Sequence, residues 1–242
     1  PSESAVQTML RFFGWDYAGT TATMLCYGAA KLIVLNMAGP PDLAVYHLAW
    51  TVAYSLYLVG HGMSTSLLAE GAADTARLRV LTSDILIHTF VVVILGAVLL
   101  TVAAPLIMSM FGSAYVQESI TMLRILVLSS IPSCFITIYL GVARLRGHLS
   151  MVAIVQFSVL ALVVTIGPLL VQSFGATGMA ITWLFANGIV AIGILSRIIL
   201  TNEPLQNREW LTSLLAAWQR QIGKLRTASN VRSAADAQDD PA

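Results

Sequence analysis

Polar and ionisable side chains inside otherwise uncharged tracts are the groups through which this sequence would do chemistry. Charge at membrane depth is costly unless it meets a wet cavity or a partner. Thr20, Thr23, Tyr27 and Lys31 follow at steps of three and four, which sets them on one helical stripe. Lys31 has three possible uses on such a stripe: snorkelling to headgroups, an inward-facing cationic ligand site, or an internal ion pair. His47, Tyr54 and His61 recur at seven-residue steps, with Thr51, Leu58 and Thr65 on the same strip. Seven residues make nearly two turns, so the strip drifts little and reads as a water-exposed lining. It contains no carboxylate, and its histidines are not on adjacent turns, so no metal site is expected. Asp84 and His88 lie one turn apart, either as a proton relay or as a solvated helix start with Asp84 favoured by the N-terminal dipole.

The elements that must position these residues are long and apolar. Tracts with at most one charged residue each cover about 17–38, 43–69, 83–108, 119–143, 149–171 and 177–199, each near or above the roughly 20 residues an α-helix needs to cross a bilayer. Only 10% of the 242 residues are charged and 57% are hydrophobic, which excludes a soluble domain with an ordinary surface. Membrane barrels alternate over about 10 residues per strand, unlike these continuous runs. The fold class is therefore all-α: a polytopic membrane bundle of six transmembrane helices. Arg124 is read as snorkelling near the end of the fourth span, and Asn187, Gln156 and Thr165 as hydrogen-bond partners between helices. Pro132, beside Ser129, Ser130 and Ser133, predicts a kink whose freed carbonyl the hydroxyls re-satisfy. Cys26 and Cys134 have no metal or redox spacing and read as small packing residues.

Threading the spans alternately places Arg11, Arg77, Arg79, Arg144, Arg146, Arg197, Arg208, Arg220, Lys224, Arg226 and Arg232 on one face, eleven of the thirteen basic residues. The opposite connections, near Gly39, Phe111 and Phe174, carry no Lys or Arg. The positive-inside bias then predicts a bacterial inner-membrane protein with both termini cytoplasmic. Basic groups in this arrangement orient helices and meet anionic membrane lipids, so no nucleic-acid partner is expected. Residues 1–16 form an interfacial lead-in with Arg11 beside Phe12, Phe13 and Trp15. Beyond the last span, Leu205, Trp210, Leu211, Leu214, Leu215, Trp218, Ile222 and Leu225 recur at helical spacing, predicting an amphipathic helix over 201–226 on the inner leaflet. Residues 227–242 have the composition of a disordered tail. No nucleophile elbow, phosphate-binding loop or His-Glu metal motif occurs, so neither an enzyme nor a cofactor is expected.

A series of short motifs carries a resemblance. Ala104, Pro105 and Leu106 precede Met110-Phe111-Gly112-Ser113-Ala114-Tyr115; Leu123-Arg124-Ile125-Leu126 and Gly141-Val142-Ala143-Arg144-Leu145-Arg146-Gly147 follow. Phe174-Gly175-Ala176-Thr177-Gly178-Met179-Ala180 then opens the last span. This succession resembles the C-terminal half of Wzx-like polysaccharide-biosynthesis flippases, in the multidrug/oligosaccharidyl-lipid/polysaccharide exporter superfamily. The resemblance covers roughly 17–200 and implies that the six spans are the seventh to twelfth of a twelve-helix exporter bundle. It further implies flipping of lipid-linked oligosaccharide or polysaccharide precursors by alternating access between two lobes. For such a cargo, the stripe geometry offers Lys31 for the anionic pyrophosphate and His47, Tyr54 and His61 as lining of the sugar path, with Tyr27 a further substrate-binding candidate. The partner implied is an N-terminal six-helix lobe; a chain opening on Pro1 is expected to be a piece of something longer. Two other readings compete. A drug/cation antiporter of the same superfamily would favour a mid-span carboxylate, and Asp16, Asp42, Glu70, Asp84 and Glu118 all fall near span ends. A non-transporting scaffold would instead recruit glycan-assembly enzymes through the basic tail.

Overall fold

The computed structural model describes residues 3–73, 78–110 and 116–200. The expected amphipathic helix and tail, the motif at Phe111 to Tyr115 and part of the loop around Asp74 and Arg77 lie outside these residues. Among them the structure contains five α-helices and no strands: α1 (Glu3–Met37), α2 (Pro40–Ala73), α3 (Leu78–Ser109), α4 (Val116–Leu145) and α5 (Leu149–Leu200). All five include segments long and apolar enough to cross a membrane. Helices α2, α3 and α4 overrun the expected tracts at both ends, and α1 takes in the lead-in as far back as Glu3. Pro40 and Pro41 open α2, where a missing N–H costs nothing.

Six expected spans correspond to these five helices because α5 is two helices in one. Its 52 residues would make a rod of about 78 Å if straight, more than twice the thickness of a bilayer core. Gly175 interrupts it with φ 58° and ψ −147°, a left-handed backbone that a side chain would strain. The arms 149–174 and 176–200 then fold back on each other. A Cβ placed on Gly167 would stand 3.0 Å from Met179 Cε, although twelve residues of straight helix would part them by about 18 Å. Gly178 lies so close to the main chain at Leu170 and Val171 that no Cβ fits between them.

Contacts at the two ends of the bundle bring its turns together. A Cβ on Gly175 would stand 3.5 Å from Asp42 Oδ2, so the α5 reversal and the Gly39 turn share one side. At the other, basic side, α4 ends in a turn closed by His148 N–H donating to the Ala143 carbonyl (2.8 Å) and Gly147 N–H donating to the Arg144 carbonyl (3.0 Å). There Arg144 Nε donates to Asp16 Oδ1 at 2.8 Å, tying the end of α4 to the early part of α1.

Helix α1 packs mainly on α5, and α2 on α4, while α4 also packs on α5 and α3; α1 and α2 touch only sparsely. Small residues allow the α2–α4 approach, as expected for helices that associate without a hydrophobic driving force. A Cβ on Gly60 would stand 2.8 Å from Cys134 Sγ, and Ser64 Oγ donates to the Thr137 carbonyl at 3.1 Å. Cys134 in this packing and Cys26 on α1 are both buried free thiols. Helix α4 runs through Pro132 as one element. Ser129 and Ser130 donate to the carbonyls of Leu126 (2.8 Å) and Val127 (2.6 Å), just before the Leu128 carbonyl that the proline leaves without its usual donor. Asn187 and Thr165, read as partners between helices, bond within their own helix instead. Asn187 Nδ2 donates to the Trp183 carbonyl (2.8 Å) and Thr165 Oγ1 to the Ala161 carbonyl (2.7 Å), the short reach that polar helical side chains find first.

Candidate functional site

The gap left by the sparse α1–α2 contact is filled by aromatic rings. Tyr27 of α1 meets Trp50 of α2 (ring centroids 5.7 Å apart), Tyr54 of α2 (6.3 Å, edge-on) and Trp183 of α5 (5.6 Å). Trp50 is the hub, standing edge-on to Trp183 at 4.7 Å and reaching Tyr46, Tyr54 and Tyr57 at 6.2, 6.2 and 5.5 Å. These separations are those of attractive offset and edge-to-face ring pairs. Tyr46, Trp50, Tyr57 and Trp183 are buried, whereas Tyr27 and Tyr54 form the half-exposed rim.

Polar tethers hold the buried part in place. Ser129 Oγ donates to the Leu126 carbonyl, and the Tyr57 hydroxyl sits against both Ser129 Oγ and that carbonyl (3.4 Å). The Trp183 indole N–H lies near the Tyr57 hydroxyl but has no hydrogen-bond partner among the described residues. An unmet donor at 3% exposure is unusual and marks this seam as incompletely satisfied.

The stripe read on α1 survives in part. Tyr27 enters the aromatic rim, and Lys31 stands one turn further toward the Gly39 side, half-buried. Lys31 makes no hydrogen bond or ion pair with a described residue, so an internal ion pair is not its use among these residues. Thr23 Oγ1 is turned back onto the Gly19 carbonyl at 3.2 Å. Because Tyr27 meets both Trp50 and Tyr54 across antiparallel helices, one turn outward brings Lys31 level with the stretch near His47.

On α2, His47, Thr51, Leu58, His61 and Thr65 are exposed and Tyr54 is half-exposed, so the seven-residue strip does form one open face. Thr51 and Thr65 donate to the carbonyls of His47 (2.8 Å) and His61 (2.9 Å), consuming the hydroxyls locally and leaving the imidazoles outward. His61 lies within electrostatic reach of Arg144, which is itself paired with Asp16. Asp84 and His88 lie one turn apart inside α3, beyond its first turn from Leu78, so Asp84 is not at the helix N-terminus as one reading expected; His88 Nδ1 contacts the main-chain oxygen of Asp84 at 2.7 Å. Arg124 is exposed and its Nε donates across to the Thr101 carbonyl of α3 at 3.4 Å.

The sequence reading missed Asp16–Arg144 and the buried rings Tyr46, Trp50, Tyr57 and Trp183. The three on α2 recur at helical spacing beside the chosen strip, a signal that was available. Trp183 carried none, because its place depends on the reversal at Gly175.

No family model and no curated protein matches this sequence. Solved structures do match. The chain is similar to MATE crystallised in complex with MaD5, with a TM-score of 0.70, 18% identity, and coverage of 90% of this chain and 55% of that one. It is similar to an outward-facing multidrug resistance MATE family transporter of the MOP superfamily (TM-score 0.64, 19% identity, 86% and 50% covered). A third is a MOP superfamily transporter from Pyrococcus furiosus whose binding pocket is described as reversed in polarity, suggesting a different function (TM-score 0.63, 16% identity, 86% and 50% covered). The chain spans about half the length of the solved structures it matches. Its long apolar helices and these neighbours make it a multi-pass membrane protein. Its fold is all-α and matches half of a MATE transporter of the MOP superfamily.

Proposed function

We propose that this chain is one lobe of a transporter that moves lipid-linked oligosaccharide or polysaccharide precursors across the cytoplasmic membrane by alternating access. The observation that carries this reading is a contrast between two exposed helix faces. Helix α3 turns Leu95, Val98, Leu99, Val102 and Leu106 outward, an apolar surface suited to acyl chains. Helix α2 turns out His47, Thr51, Ser55, His61 and Thr65. The hydroxyls are met by main-chain carbonyls of their own helix, but imidazoles facing hydrocarbon are costly, so the α2 face belongs on a water-filled path, walled by a second six-helix lobe.

The charge of that path favours an anionic cargo. Lys31 flanks the face, while the carboxylates of Asp16, Asp42, Glu70 and Asp84 all lie near the ends of the apolar spans, with Asp16 already paired to Arg144. A partly desolvated ammonium attracts a pyrophosphate far more strongly than one in bulk water. The reversed pocket described for the Pyrococcus furiosus neighbour supports reading substrate charge from pocket charge. With the basic side cytoplasmic, Asp84 and His88 stand at the inner end of α3, where a coupling proton would enter. A drug/cation antiporter is the second reading, favoured by the multidrug resistance transporter among the structural neighbours.

The test uses the full-length protein in proteoliposomes carrying a fluorescent polyprenyl-pyrophosphate glycan in one leaflet. A charge-assisted contact worth about 1.5–3 kcal/mol predicts that Lys31→Ala slows flipping by about 10- to 100-fold, with Lys31→Arg largely restoring it. Unchanged flux at normal membrane abundance would overturn the reading. Lipophilic-cation efflux that persists or rises in Lys31→Ala, with no glycan movement in the parent protein, would put the antiporter in its place.

A further inference from the structure

We infer that Tyr27 and Tyr54 form a stacking site for a sugar ring of the carried glycan, in the middle of the membrane and separate from the anion contact at Lys31. The inference rests on the proposed function, and it names which part of the cargo is read and by which residues.

Depth is the first argument. Tyrosine and tryptophan in membrane helices gather at the two headgroup levels, where ring and hydroxyl are both satisfied. Tyr27 stands ten residues before the end of α1, about 15 Å along the axis and near mid-bilayer. Tyr54 lies close to the centre of α2. Neither hydroxyl has a hydrogen-bond partner among the described residues, unlike Tyr57, whose hydroxyl is held by Ser129 and the Leu126 carbonyl. Two unpaired phenols and an unpaired ammonium, on one flank and within a turn or two of each other, ask for a ligand rich in oxygen.

Shape is the second. Tyr27 and Tyr54 meet at 86°, so their half-exposed rings make a corner rather than a flat wall. Trp50, Trp183 and Tyr57 pack behind that corner and fix both ring planes. A pyranose fits such a corner: its C–H face carries partial positive charge toward the negative face of one ring, and its rim hydroxyls reach the phenol oxygens. An acyl chain would leave both phenols unmet. A cation, which rings of this kind also attract, would sit beside Lys31 and be repelled by it.

Binding to the full-length protein in nanodiscs separates the possibilities, using three probes: a short-chain prenyl-pyrophosphate disaccharide, the same prenyl pyrophosphate without sugar, and tetraphenylphosphonium. Tyr54→Leu and Tyr27→Leu are each expected to weaken the disaccharide probe by about tenfold and to leave the sugarless probe within about twofold. Lys31→Ala should weaken both pyrophosphate probes. Tyr54→Phe keeps the ring and the packing behind it, so it guards against misfolding; it should retain most of the disaccharide affinity while losing the hydroxyl's share. Equal weakening of both pyrophosphate probes by the tyrosine variants, or of neither, would overturn the sugar site while leaving the proposed function standing. Tyr54-dependent capture of tetraphenylphosphonium in preference to the disaccharide would overturn it in favour of a cation site. A parent protein that binds neither pyrophosphate probe would remove the functional reading itself, and the sugar site with it.

Discussion

The hairpin in α5 makes a prediction in which one substitution, placed ten residues apart, acts with opposite signs. At Gly178 an added Cβ would overlap the Leu170 carbonyl and crowd the Val171 nitrogen. Both obstacles are main chain, so relief requires parting the two arms and loosening the contact between Gly167 and Met179. Overpacking against rigid surroundings costs about 1–3 kcal/mol, and the upper end applies where no side chain can swing aside. At Gly188, in the same arm, nothing lies within 4 Å of an added Cβ. There alanine only restricts the unfolded chain and favours the helix, a gain of about 0.5–1 kcal/mol. With roughly 2–4 °C per kcal/mol for a unit of this size, Gly178→Ala should lower Tm by about 6–12 °C and Gly188→Ala should raise it by about 1–4 °C. Thermal unfolding followed with a thiol-reactive fluorophore suits this protein, because Cys26 and Cys134 are buried and free until the fold opens. If Gly178→Ala leaves Tm unchanged, or if both variants shift it in the same direction, then the second arm is not folded against the first.

Two further outcomes test the site. Tyr57→Phe and Ser129→Ala should each destabilise by about 1 kcal/mol, and the double variant by less than the sum because they share one hydrogen-bond cluster; chemical denaturation of all four proteins checks this. In a background with Cys26 and Cys134 replaced by alanine, His61→Cys should react readily with a membrane-impermeant maleimide and Leu99→Cys should not, since only the α2 face borders water; equal labelling would remove the contrast on which the proposed transport path rests.

Much of the architecture was legible because the bilayer imposes it. With no water to satisfy a backbone, apolar runs of this length have few options besides helices, and basic residues mark one side. The strip at His47, Tyr54 and His61 was legible for the same reason: a polar group in an apolar helix must face somewhere special, and a seven-residue step says that several face the same way. Helix ends were less so. Charge marks where hydrocarbon stops, but backbone hydrogen bonding continues past it, and so α1 reaches back to Glu3 and α2 out to Ala73.

The rest of the site depended on distance in the chain. Asp16 and Arg144 are 128 residues apart and each, alone, reads as a boundary charge; only the return of α4 to the start of α1 makes them a pair. Trp183 is the stronger case. Read locally it is one more apolar residue two turns into a helix, and its indole N–H looks no different from any other. The left-handed Gly175 turns that arm back so that Trp183 arrives behind Tyr27 and edge-on to Trp50, completing a ring cluster drawn from three helices. Sequence periodicity reports which face a residue occupies, not which face of another helix it meets. The stripe on α1 and the strip on α2 could therefore each be seen alone, while the aromatic wall that joins them at Tyr27 and Tyr54 follows from a glycine about 120 residues further on.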